Sequence, residues 1–274
     1  MSFLEAIILG IIQGLTEFLP VSSSGHIEIG KAILDVQVSD PLLFSIVVHG
    51  ATALSTIVVF RKAIGSLLAG LFKFKWNDET QYLFKIALSM IPVGVVGVLF
   101  EEQIEELFDG NVFFVGLMLL LTGVLLYLTT LAKEKHGKVT FKNAFVVGLV
   151  QAIAILPGIS RSGSTIAASL MLGINKEKAA QFSFLMVLPP ILGTVLLKVI
   201  KFMELSGTEA SVDAVALEPI SGMVLVVGFI SAFVSGLFAC QWMIKIVKRS
   251  KLQYFAFYCF AVGAIACIYT FIGA

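Results

Sequence analysis

Charge is what this sequence has least of. Asp, Glu, Lys and Arg make up 14% of its 274 residues, against roughly a quarter in a soluble domain. The two signs nearly cancel, leaving a net charge of +1. There is no long basic run, so no nucleic-acid partner is expected. Cysteine is scarce too. Cys240, Cys259 and Cys267 are an odd number without metal-type spacing, which gives no signal of a disulfide framework or a zinc site. They read as small packed hydrophobes. A basic N-terminal patch is also missing. Residues 1–19 carry Glu5, Gln13 and Glu17, so this stretch is expected to be retained rather than cleaved as a signal peptide.

What is abundant is apolar surface: 58% of residues are hydrophobic, and the mean hydropathy is +0.99. These residues cluster into blocks of membrane thickness, roughly 17–25 residues. Six full spans are expected, at 42–60, 83–100, 112–132, 182–200, 221–244 and 254–273. Two further apolar regions are broken in the middle. Region 3–35 is interrupted by Leu19-Pro20-Val21-Ser22-Ser23-Ser24-Gly25-His26, and region 143–174 by Leu156-Pro157-Gly158-Ile159-Ser160-Arg161-Ser162-Gly163-Ser164. Pro and Gly there free backbone groups, which in lipid must be satisfied by protein or by a wet cavity. Both regions read as re-entrant helical hairpins.

The breaks belong to an internal repeat. Ala6, Gly10 and Gln13 recur 138 residues later as Ala144, Gly148 and Gln151, and Phe44-Ser45 recurs as Phe182-Ser183. Ser22, Ser24 and Gly25 match Ser160, Ser162 and Gly163. The expected fold is therefore an all-α integral membrane protein of two halves, 1–137 and 138–274, forming one membrane domain. Each half is a re-entrant hairpin plus three transmembrane helices. Three spans is an odd number, so the second half must be inverted. Loop charge agrees. Arg61, Lys62, Lys73 and Lys75 lie in 61–82, Lys133, Lys135, Lys138 and Lys142 in 133–142, and Lys245, Lys248, Arg249 and Lys251 in 245–252. Loop 101–111 has no Lys or Arg but five acids, and 201–219 has only Lys201. With the basic loops cytoplasmic, both termini are extracytoplasmic.

Polar groups inside apolar segments are costly and mark function. Most here sit in the breaks: Gln13, Glu17, Ser22, Ser23, Ser24, His26, Ser160, Arg161, Ser162, Ser164 and Thr165. Arg161 offers a planar fork suited to phosphate oxygens. Each Ser/Gly turn precedes a helix, whose free amides attract an anion. Together they make a phosphate or pyrophosphate cradle from Gln13, Ser22, Ser24, Gly25, Ser160, Arg161, Ser162, Gly163 and Thr165. Ser22, Ser24, Ser160 and Ser162 are read equally well as caps or packing residues. Glu17 could hold a divalent cation or orient His26. Ser23 and His26 are i, i+3, a spacing that can pair a hydroxyl nucleophile with a base. The repeat separates the serines: Ser22 and Ser24 have serine counterparts, whereas Ser23 is matched by Arg161. His49 reads as a satisfied structural histidine, and His136 as solvated.

The stretch from Gln13 to His26, with Pro157-Gly158-Ile159-Ser160-Arg161-Ser162-Gly163-Ser164-Thr165, closely resembles the two signature motifs of the bacterial undecaprenyl-diphosphate phosphatases of the bacitracin-resistance type. The resemblance runs the length of the chain. It implies hydrolysis of undecaprenyl diphosphate to the monophosphate, recycling the lipid carrier of peptidoglycan synthesis in the bacterial inner membrane. It implies a divalent cation, Mg²⁺ or Ca²⁺. It also maps the family's motif residues onto Glu17, Ser22, Ser23, His26, Ser160, Arg161, Ser162 and Thr165. Many members carry a carboxylate where this chain has Gln13, which leaves Glu17 as the metal residue. The expected catalytic set is Ser23, His26, Glu17 and Arg161. The partners are a polyprenyl pyrophosphate and the surrounding membrane lipid; a homodimer is left open. The competing reading is an inverted-repeat transporter or flippase for a polyprenyl phosphate, which would use the same anion site without chemistry.

Overall fold

The structure, a computed structural model, describes residues 1–34, 41–100, 103–104, 107, 111–132, 136–207, 221–249 and 251–272. The five acids of 101–111, together with Lys133 and Lys135, lie outside these residues, as do the last residues of the expected segments 3–35 and 254–273.

The first hairpin is α1 (Phe3–Phe18) and α2 (Ser23–Leu34). Ser2 opens α1 with a capping box: its hydroxyl accepts the Glu5 N–H and the Glu5 carboxylate accepts the Ser2 N–H. Pro20 closes it, because the residue before a proline is pushed out of the helical region. Leu19 is indeed extended, at φ −69° and ψ 142°. Helix α3 (Pro41–Val59) meets α4 (Arg61–Leu71) at a 76° bend. Then come α5 (Asp78–Leu99), capped by Asn77, and α6 (Val112–Leu128) with a 3₁₀ turn, Thr129–Leu131. The second hairpin is α7 (Phe141–Ile153) and α8 (Arg161–Met171). Helices α9 (Lys176–Met186) and α10 (Leu188–Gly207) follow, broken where Pro189 and Pro190 start a new first turn. Helices α11 (Gly222–Lys248) and α12 (Gln253–Ile272) finish the chain. No strand occurs among the described residues; Gly137 and Ile174 form one isolated bridge.

Among the described residues, five helical stretches are long and apolar enough to cross a bilayer, six if the bent α3–α4 pair counts as one span. These stretches overlap the six expected segments, with two differences. Residues 61–82, expected as a loop, contain α4 and the start of α5. The span expected at 182–200 is a jointed pair running from Lys176 to Gly207, because its double proline falls inside the apolar block. Helices α1, α2, α7 and α8 are too short to span. The chain is a multi-pass all-α membrane protein.

The halves interlock. Helix α1 packs on α11, α7 packs on α5, and α6 packs on α12. Small residues permit the close approach. A Cβ on Gly10 would lie 2.6 Å from the Gly228 carbonyl oxygen, and one on Gly148 would lie 2.4 Å from that of Ser89. Cys240 and Cys259 are buried, Cys267 is half-buried and all three are free. Many large apolar side chains, Val98, Leu197, Phe238 and Ile265 among them, are exposed, as lipid-facing surface requires.

Three contacts gather the basic segments at one end of the bundle. Trp76 stacks on Phe141 with ring centroids 6.5 Å apart. The Asn175 N–H donates to the Gly137 carbonyl at 3.0 Å. Lys248 pairs with Glu177 at 2.9 Å.

Candidate active site

The two helix breaks meet. The Ser162 hydroxyl donates to the Leu19 carbonyl at 3.4 Å. A Cβ on Gly25 would stand 3.3 Å from the Gly158 Cα, and one on Gly163 would stand 3.0 Å from the Pro20 Cβ. At this joint the Arg161 guanidinium Nη2 donates to Glu17 Oε1, so the ion pair links the two hairpins. The Glu17 side chain is only 6% exposed, and a buried carboxylate needs such a partner. Its other oxygen, Oε2, accepts the Ser23 hydroxyl at 2.8 Å and the Gln13 side-chain amide at 3.0 Å.

The expected pairing of Ser23 with His26 is not what the structure shows. Ser23 is the first residue of α2, and its hydroxyl points back to Glu17. The imidazole turns the other way. Its Nδ1 donates to the Ser22 carbonyl at 2.8 Å, and Nε2 lies 2.8 Å from the Tyr258 hydroxyl. Ser22 explains this: at φ 69° it is left-handed, which aims its carbonyl at the ring. A non-glycine residue there costs on the order of 1 kcal/mol, and such strain gathers at functional sites.

The repeated serines act as caps in both hairpins. Ser160 Oγ accepts the Gly163 N–H at 3.0 Å, and Ser22 Oγ accepts the Gly25 N–H at 3.3 Å. Ser24 lies 3.3 Å from Ser22, and Ser162 lies 3.4 Å from Ser160, hydroxyl to hydroxyl. Thr165 donates to the Arg161 carbonyl at 2.9 Å and pairs with the Ser183 hydroxyl.

A small cleft opens over the ion pair. Glu17, Arg161, Ser162 and Thr165 line it as expected. Thr52, Thr56 and Ser183 add hydroxyls that the motifs did not point to, while Phe18, Phe184, Val187 and Ile191 form an apolar wall. His49 stands one turn before Thr52. It donates from Nδ1 to the Ser45 carbonyl at 2.9 Å, the satisfied contact expected of a structural histidine. His136 is exposed.

Among the described residues no three His, Cys, Asp or Glu side chains cluster as a metal site. The Glu17 carboxylate is a hard oxygen donor of the kind a cation takes when phosphate supplies part of its shell. Beside the Glu17 carboxylate lies Gln13, whose Oε1 is buried and without a hydrogen-bond partner among the described residues.

A family model for the bacitracin resistance protein BacA matches residues 6–265. The chain belongs to the BacA family. Among similar proteins, the undecaprenyl-diphosphatase of Christiangramia forsetii is 55% identical over 273 residues, covering 99% of both chains. That of Bacteroides thetaiotaomicron is 54% identical over 271 residues, 98% of this chain and 99% of the relative. That of Methanobrevibacter smithii is 38% identical over 283 aligned positions, 97% and 96% of the two. In this BacA chain the matched region includes Glu17, Ser23, His26, Arg161 and Tyr258.

Proposed function

We propose that this chain hydrolyses undecaprenyl diphosphate to undecaprenyl phosphate and phosphate, returning the lipid carrier to peptidoglycan synthesis and conferring resistance to bacitracin. The observation that carries this reading is the Ser23–Glu17–Arg161 link at the joint of the two breaks, in a chain whose full-length relatives are named undecaprenyl-diphosphatase. A transporter cradle has no need of a serine hydroxyl set against a carboxylate.

The pyrophosphate enters the cleft while the prenyl chain stays in lipid, along the apolar wall of Phe184, Val187 and Ile191. Arg161 spends Nη2 on Glu17, leaving other N–H groups of its fork for phosphate oxygens. Ser23 Oγ attacks the terminal phosphorus and its proton passes to Glu17 Oε2. The bond from that phosphorus to the bridging oxygen breaks, and undecaprenyl phosphate departs, taking the proton from Glu17. Water then attacks the phosphoserine and gives a proton to Glu17. Ser23 Oγ leaves and recovers that proton, and phosphate is released. Positioning and charge neutralisation carry most of such a reaction. Glu17 and Gln13 Oε1 would hold a divalent cation, Mg²⁺ or Ca²⁺, which when bound screens the phosphate charge.

The inverted relation of the halves is supported by the exchanged packing of α1 on α11 and α7 on α5. Cytoplasmic placement of the end that gathers the basic segments supports an inner-membrane protein with both termini outside. The test is phosphate release from undecaprenyl or farnesyl diphosphate by the purified protein in detergent. Binding or translocation of the lipid without phosphate release would overturn hydrolysis in favour of transport.

A further inference from the structure

We propose that Tyr258 is a positioning residue for the serine turn, acting through His26. The proposal rests on the phosphatase reading above and adds to it a residue on α12, outside both helix breaks.

The Ser22 carbonyl can only accept, so the hydrogen in its 2.8 Å bond to His26 sits on Nδ1. The Nε2 of the neutral ring is then a lone pair, and the Tyr258 hydroxyl 2.8 Å away donates to it. The two rings are also nearly parallel, with 5.6 Å between centroids and 14° between planes. The Ser22 carbonyl thus sets the tautomer, and Tyr258 holds the plane of the imidazole. The fixed imidazole in turn holds the Ser22 carbonyl, which also accepts the His26 backbone N–H at 3.2 Å. Ser22 is the left-handed residue of this break, and Ser23 is its neighbour. What holds Ser22 in that conformation also aims the Ser23 hydroxyl at Glu17.

The second break has its own brace, on the helix that packs against α12. Thr122 of α6 accepts the Ser160 N–H at 3.0 Å and donates to the Gly158 carbonyl at 3.3 Å. At the first break α12 supplies the equivalent support: Cys259 Sγ lies 3.6 Å from the Pro20 carbonyl, Ala256 and Cys259 pack with Val21, and Tyr258 grips His26. The helix pair α6–α12 therefore braces both breaks, and Tyr258 is the contact that reaches the nucleophile turn.

Tyr258→Phe keeps the ring and removes only the hydroxyl, so the variant should fold with an unchanged melting temperature in detergent. Its kcat for phosphate release should fall about tenfold with KM within about twofold, because geometry is lost and the phosphate-binding groups are not. In a His26→Ala background the same substitution should have no further effect. Tyr269→Phe, lower on α12, gives the baseline for a change in that helix. A wild-type kcat in Tyr258→Phe overturns the proposal. So does a loss of equal size in the His26→Ala background, which would mean that Tyr258 acts independently of His26. Failure of the phosphatase reading is read separately, as absence of phosphate release by the unsubstituted protein.

Discussion

The Ser23 hydroxyl donates to Glu17 Oε2 at 2.8 Å, across a break that separates them by six residues of sequence. No other serine of the first break makes that contact: the hydroxyls of Ser22 and Ser24 face each other, and Ser22 caps Gly25. Ser23→Ala should therefore reduce turnover by at least about 10³-fold while substrate binding persists. Ser22→Ala and Ser24→Ala should be milder. Phosphate release and lipid binding measured on the three variants decide it. If Ser23→Ala turns over normally and Glu17→Gln is dead, a water activated by Glu17 replaces the serine as nucleophile.

Arg161→Lys tests the fork. Arg161 bonds Glu17 through one nitrogen and needs the others for phosphate. A lysine keeps the charge but cannot serve both sides of the joint at once. The value of kcat/KM should drop at least about tenfold, roughly 1.4 kcal/mol. Kinetics equal to the unsubstituted protein would remove Arg161 from the cradle.

How much of this was legible beforehand depended on whether the signal was local. The breaks were readable because Pro20, Pro157 and Gly158 disrupt apolar runs, and their meeting was implied by the repeat. The spans were readable from length alone, except where Pro189 and Pro190 lie within an apolar block and where Arg61 begins a helix that bends away. The Ser23–His26 pairing failed because helical spacing places residues on one face but does not choose a rotamer. That choice was made by the left-handed Ser22 and by Tyr258, 232 residues away in the chain. Thr52 and Thr56 were visible as hydroxyls in an apolar span, and Ser183 as part of the Phe-Ser repeat. Nothing local tied them to the cleft, which only the packing of α3 and α9 against the breaks creates.

Topology is tested at the basic end. If the end joined by Trp76–Phe141 and Lys248–Glu177 is cytoplasmic, single cysteines at Lys73 and Arg249 should be shielded from an impermeant thiol reagent in intact cells, and one at Ser2 should react. Labelling of the first two with protection of the third would turn the protein over.

Small-residue packing makes a stability prediction. A Cβ on Gly14 would fall 2.0 Å from Ser235 Oγ and 2.4 Å from the Ala232 carbonyl. The hydroxyl can rotate away, but the backbone of α11 cannot. Gly14→Leu should force α1 off α11 and cost about 1–3 kcal/mol or more, seen as a lowered melting temperature in detergent. Gly50→Ala, where a Cβ would meet nothing within 4 Å, should melt as the unsubstituted protein does. Equal melting of both variants would mean that α1 and α11 are not so closely packed.

The cation prediction separates the two residues proposed to hold it. Glu17 has three partners, Arg161, Ser23 and Gln13, so Glu17→Gln removes a proton acceptor, an ion pair and a metal ligand together. Its loss of activity cannot by itself report on metal. Gln13 is the cleaner probe. Its amide nitrogen is used by Glu17, while its carbonyl oxygen is buried without a hydrogen-bond partner among the described residues. A chelator should abolish activity, and Mg²⁺ or Ca²⁺ should restore it. Gln13→Ala should raise the cation concentration for half-maximal activity about tenfold or more, with kcat recovering at saturation. Gln13→Glu, which adds a second carboxylate beside Glu17, should lower that concentration. Activity that persists in strong chelator would assign the neutralising charge to Arg161 alone. An unchanged cation dependence in both Gln13 variants would leave its orphan oxygen with no part in binding the ion.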